Sequence, residues 1–223
     1  SLKIELHEAF LYSWVLQAFH SFGILEYVSR FYHDTHGMKY MDFYTSLIEY
    51  CKIASNSIFK DEYNTAIEYI KNGYSGNGWE HYDPTLGEIC WPLEEATLLR
   101  CVRNSDKLGD DIFKFLTWLD DDRGLATDPN QLNDLSKFQS YVMTTRNTQE
   151  EMKLASFKYD WAAYFSGEEP SDNVAEAINT YQYKNKVVED DNQLWCYKTA
   201  WWGRGPKKYK TDPVDILTIG GKA

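Results

Sequence analysis

Cysteine is scarce and scattered: Cys51, Cys90, Cys101 and Cys196 form no C-x-x-C pair, so neither a zinc motif nor a dense disulfide framework is written into the chain. All four are read as reduced thiols of the core. No long apolar run is present either, and the most apolar stretch, FLYSWVLQAF, is too short and too polar to span a bilayer. No basic segment followed by an apolar one opens the chain. These absences, with the reduced thiols, give the expectation of a soluble cytoplasmic protein without membrane association. Phosphate-cradling glycine patterns, a G-x-S-x-G elbow and H-E-x-x-H are likewise missing, so no catalytic residue is assigned.

What the chain has in quantity is aromatic side chains: 17 Tyr, 11 Phe and 8 Trp in 223 residues, far too much apolar surface for a disordered polypeptide. A body of this length buries roughly 70% of its unfolded surface, enough for a core without metals or disulfides. Charge is unevenly spread. Residues 184–223 carry eight Lys or Arg against five Asp or Glu, a net of +3, which leaves 15 against 29 in residues 1–183, a net of −14. Such an acidic body repels nucleic acid at large and confines any polyanion contact to the tail.

Apolar residues recur at helical spacing through most of the chain. Leu6, Phe10, Leu11, Trp14, Val15, Ala18, Phe19 and Phe22 give one helix, with Gly23 either ending it or allowing close packing before a second, which bears Leu25, Val28, Phe31 and Tyr32. Further helices are expected over Lys39–Ala54 and Phe59–Lys71, the second closed by the glycine-rich turn NGYSGNG. Pro92 followed by LEEATLLRCV is a helix start, since proline suits the first turn and the glutamates favour its positive end. Asp110–Leu119 and Asn130–Met143 complete the pattern.

Beyond Thr144 the signal changes. MKLASFKYDWAAYF fits a helix, or a strand followed by a helix; GEEPSD is a break; Val174–Tyr183 can alternate or turn; and LWCYKTAWW, rich in β-favouring aromatics, reads as a short strand. The expected architecture is mainly α, a bundle-like helical domain over 1–145 with a C-terminal extension over 146–223, α+β in character, packed on it.

Candidate chemistry is thin. His33 and His36 stand at i and i+3, the spacing of a two-histidine metal site, but the third ligand is missing and Gly37 follows. A helix C-terminus, where histidine suits the negative dipole end, is the better account. His20 falls on an apolar face, as a hydrogen-bonded core histidine does. Asp120-Asp121-Asp122-Arg123-Gly124 fails as a calcium loop, because Leu125 and Gln131 stand where glycine and glutamate are needed, and reads as a solvated helix end. In TAWWGRGPKKYKT, Trp201, Trp202 and Tyr209 are mixed with Arg204, Lys207, Lys208 and Lys210 as in single-strand binders, yet four cations are few against the acidic body.

Two stretches carry a resemblance. In FLYSWVLQAFHSFGILEYVSRFYHDTHGMKYMDFYTSLIEY, Phe10 or Tyr12, Trp14, Phe19, His20, Phe22 and Gly23, followed by Phe43-Tyr44, match an aromatic pattern of the type F-x-x-W-x-x-x-x-F-H-x-F-G. The ending Trp201-Trp202-Gly203-Arg204-Gly205 matches an aromatic-Gly-Arg tail. Both resemble the helical C-terminal region of cobalamin-binding radical S-adenosylmethionine proteins of the Fe–S oxidoreductase type. The resemblance implies an accessory domain of a larger enzyme, packed on the catalytic barrel of the same parent chain or touching a protein or peptide substrate. Trp14, His20, Trp201, Trp202 and Arg204 are then the substrate- or partner-facing candidates. A [4Fe–4S] cluster, S-adenosylmethionine and cobalamin would belong to the parent, because the C-x-x-x-C-x-x-C motif that holds the cluster does not occur in this chain. Two other readings stay open: a free-standing helical interaction module, and a small metal-dependent enzyme using His20, His33 and His36.

Overall fold

The computed structural model describes residues 2–72, 81–144, 152–166, 176–184 and 190–204. It is mainly helical, with two two-stranded antiparallel sheets. The NGYSGNG turn beyond Asn72, the GEEPSD break and the chain beyond Arg204 lie outside the described residues.

The first helix, α1 (Leu2–Val15), runs into a π-helical turn over Leu16–Ser21, where Phe22 N–H reaches back to Gln17 O at 2.9 Å. Gly23, at φ 85°, ends it, so here the glycine's role is the left-handed exit. Helix α2 (Glu26–His36) starts on Leu25, which has no side chain able to cap it. Gln139 supplies the missing cap from a distance: its Oε1 accepts from Tyr27 N at 2.8 Å while its Nε2 donates to Gly23 O at 2.9 Å. One buried amide thus satisfies both sides of the chain reversal.

Helices α3 (Tyr40–Ile53) and α4 (Ile58–Lys71) follow, the latter capped twice at its N-terminus. Ser57 Oγ accepts from Phe59 N at 3.2 Å, and the buried carboxylate of Asp111 accepts from Ile58 N at 2.7 Å. After β1 (His81–Tyr82), a 3₁₀ turn (Pro84–Leu86) and β2 (Cys90–Trp91), helix α5 (Leu93–Arg103) begins directly behind Pro92. Helix α6 (Ser105–Arg123) and α7 (Pro129–Thr144) pack closely along each other, helped by Gly109, where even a Cβ would lie 3.3 Å from the Ser140 side chain.

The C-terminal third holds the antiparallel pair β3 (Met152–Tyr159) and β4 (Glu176–Lys184), with α8 (Trp161–Ser166) directly after β3 and α9 (Asn192–Arg204) last. MKLASFKYDWAAYF is therefore a strand followed by a helix. LWCYKTAWW is not a strand: it is the body of α9. Its aromatic content mimics a β signal, but Trp195, Cys196, Thr199 and Ala200 fall at spacings of one, three and four and are buried together on one helical face.

Helix α9 packs on α5 through Arg103, whose guanidinium lies 4.3 Å from the Trp195 ring centroid and donates to Asn192 Oδ1 and Thr85 O. The Gln193 side chain lies against Gly87, at φ 97°, where a Cβ would collide with it. Rings of α2, α3, α6, α7 and α8 interlock edge to face through the centre, as in Phe43 with Phe115 at 5.4 Å and Phe31 with Trp161 at 5.8 Å.

Candidate functional site

The residues singled out by sequence occupy three places. Trp14 and His20 lie on α1 and its π-helical turn. Trp14 is buried, while His20 is half-buried with Nδ1 3.1 Å from Tyr44 Oη. Tyr44 passes the hydrogen bond to Ser29 Oγ at 3.1 Å. Tyr40 lies between His20, with ring centroids 5.2 Å apart, and His33, stacked at 4.8 Å.

His33 and His36 end α2 but point to different partners. His33 Nδ1 donates to Met38 O at 3.0 Å, whereas His36 Nε2 lies 2.9 Å from Thr127 Oγ1. Among the described residues no group of three or more His, Cys, Asp or Glu is arranged to hold a metal. Trp201, Trp202 and Arg204 form the last turn of α9; the tail that follows them lies outside the described residues.

Two expectations need correction. Asp120 is not part of a solvated helix end: it is buried, accepting from Tyr32 Oη at 2.5 Å and Thr127 N at 3.2 Å, and so ties α2 to the turn after α6. Burial, then the Asp120 carboxylate, push the Tyr32 phenol far above its ordinary range. Cys90 is exposed, unlike the other three cysteines, because it points outward from the short strand whose neighbour Trp91 points in.

The strongest concentration of buried charge escaped the sequence reading. Arg100 on α5 makes a bidentate pair with Glu62 on α4, Nε to Oε1 at 2.6 Å and Nη2 to Oε2 at 2.7 Å. Its Nη1 reaches Asp83 Oδ2 at 3.1 Å and His81 Nε2 at 2.9 Å. Thr97 donates to Glu62 Oε2 at 2.9 Å and accepts from the Trp14 indole N–H at 3.0 Å. A chain of polar contacts therefore runs from Trp14 through Thr97 and Glu62 to Arg100. Burial raises the Asp83 carboxyl, but hydrogen bonds from Thr85 and Arg100 together with the guanidinium charge outweigh it and hold the group below its ordinary value. Burial and then Arg100 push His81 down to about 4, so the imidazole is neutral and accepts at Nε2.

This gives a pH prediction. Between pH 6.5 and about 4 the unfolded chain protonates His81 while the folded chain does not, so stability falls as pH falls through this window. At full effect the shift corresponds to about 3 kcal/mol, and water reaching the half-buried ring reduces this to about 1–2 kcal/mol. Urea midpoints of wild type and His81→Gln, measured from pH 7 to pH 4, are expected to converge as pH falls; parallel curves would remove His81 from the account.

Beside this network, α1, α4 and α5 leave a cleft of about 120 Å³. Phe10 and Tyr69 stack at 5.7 Å as one wall, buried Trp14 and Leu93 form the floor, and Ser13, Gln17 and Glu94 stand at the rim. The signal in the sequence that could have located the network is Glu62 itself, a charge on the apolar stripe of Phe59, Ala66 and Ile70.

By architecture the protein is a mainly α body with two two-stranded antiparallel sheets and a buried ion network. No family model matches the chain, and no curated protein matches it. Among the described residues no helix is long and apolar enough to cross a membrane.

Proposed function

We propose that this chain is an accessory helical domain of a cobalamin-dependent radical S-adenosylmethionine enzyme, packing on the catalytic barrel and turning its Trp14–His20 end and its α9 terminus toward barrel or substrate. One observation supports this reading above the others. The two separated pieces of the aromatic pattern, His20 of the first and Tyr44 of the second, are hydrogen-bonded at 3.1 Å, so the pattern is one structural unit. Cys51 and Cys101 do not fit the cluster: both are buried, and burial raises the Cys51 thiol to about 12 and that of Cys101 well above its ordinary value, against thiolate formation. No chemical step is therefore assigned to this chain alone.

The test is the upstream reading frame followed by its expression. The expected frame encodes C-x-x-x-C-x-x-C, and its product, reconstituted with iron and sulfide, cleaves S-adenosylmethionine whereas residues 1–223 alone do not. A frame that lacks the motif, or cleavage by the isolated chain, would overturn the proposal.

A further inference from the structure

We infer that the outer edge of β4 pairs with the same edge of a second copy of this chain, antiparallel and centred on Thr180, so that two two-stranded sheets join into one of four strands. The inference does not rest on any association with a catalytic barrel.

The two edges of the β3–β4 pair are unlike. Among the described residues β4 is hydrogen-bonded to one strand alone, β3. The helical body meets the sheet chiefly at β3, which packs on α7, and the Asp134 carboxylate accepts from the backbone N–H of both Lys158 and Tyr159. The end of the β3 edge is therefore occupied. The β3 sequence also carries Lys153 and Lys158, and lysine along an edge strand opposes further pairing. In β4, by contrast, EAINTYQYK holds no proline, and charge stands only at its first and last residues. An edge of that composition lacks the usual protection and is suited to strand addition.

The charges at its two ends select the partner. Antiparallel pairing of β4 with itself about Thr180 sets Glu176 opposite Lys184 of the second copy, and Lys184 opposite its Glu176. Two identical opposite-charge pairs then flank an uncharged centre, as a two-fold relation requires. A slip of one residue would place Glu176 opposite Tyr183 or Asn185, and a parallel alignment in register would place like charges together. Glu176 is 67% exposed, and its carboxylate is 3.7 Å from Lys158 Nζ of β3.

Side-chain alternation is kept as well. Thr180 shares a sheet face with its partner Ser156, their hydroxyl oxygens 2.8 Å apart, while the neighbouring Phe157 points to the other face and is buried against Phe138 and Tyr141 of α7. Residues directly opposite in an antiparallel pair lie on one face, so both helical bodies fall on the same side of the joined sheet, behind the two β3 strands. The two β4 strands separate them.

The test follows the mass of residues 1–223 by light scattering over a dilution series, with each variant checked for an unchanged far-UV spectrum. A concentration-dependent dimer is expected. Glu176→Lys and Lys184→Glu should each weaken it about tenfold, because each sets like charges at both ends, and the two changes together should restore it to within about twofold. Thr180→Cys, in a Cys90→Ser background that removes the exposed thiol, is expected to form a covalent dimer with oxidised glutathione, since opposite residues have Cα atoms about 4.5–5.5 Å apart. Asn179→Cys, off the axis, is expected to stay monomeric under the same oxidation. A monomer mass at every concentration would overturn the inference. So would a dimer indifferent to the single charge changes, a double change that fails to restore it, or equal cross-linking at 179 and 180.

Discussion

Replacing Arg100 by Met is expected to destabilise the fold by about 3 kcal/mol at pH 7, a fall in melting temperature of roughly 6–12 °C for a chain of this length. The side chain is 18% exposed and Glu62 5%, so the pair is largely removed from water. Methionine fills much of the same volume, and the loss comes from what is left behind. Glu62 and Asp83 lose their shared cation, and the carboxylates then repel each other in a poorly solvated place. The deficit should shrink as pH falls, because carboxyls left without a cation protonate more readily in the folded variant than in the unfolded chain. The double change Glu62→Leu with Arg100→Met is expected to be less damaging than the sum of the two single changes, since it orphans fewer charges. Differential scanning calorimetry of the four proteins measures the coupling; strict additivity would show that the pair contributes nothing as a pair.

The same network marks where sequence reasoning stopped. Periodicity located the helices from Leu6 to Val142 because each buries a stripe whose 3.6-residue repeat survives in one dimension. It could not pair Glu62 with Arg100, or Gln139 with the Gly23 turn, because those partners are 38 and 116 residues apart and come together only when α4 meets α5 and α7 meets α2. In α9 the opposite error arose: Trp195, Tyr197, Trp201 and Trp202 have strong β propensity, and packing on α5 overrode it. Of the candidate residues, Trp14 and His20 were singled out by the aromatic pattern alone, while the cleft beside Trp14 needs Tyr69 and Leu93 from other helices and so had no local signature.

Trp161→Ala is expected to have the other large effect, about 3–5 kcal/mol, or on the order of 10 °C. Trp161 is fully buried at the start of α8, with Phe31, Tyr159 and Phe165 ring centroids 5.7–6.1 Å away. Its indole N–H donates at 2.9 Å to Asp134, whose carboxylate also accepts from the backbone N–H of Lys158 and Tyr159. The one carboxylate of α7 thus gathers the end of β3 and the start of α8, and Trp161 fills the space this creates between α2 and α7. Trp161→Phe keeps a ring there but removes one donor, with an expected loss nearer 1–2 kcal/mol. If β3 and α8 form a separate extension, the alanine variant will unfold in two steps and leave amide exchange at Phe31 and Phe138 unchanged. A single transition, displaced as a whole and with faster exchange at both positions, is the expected result, because the side chains that anchor this segment are also the side chains that complete the core.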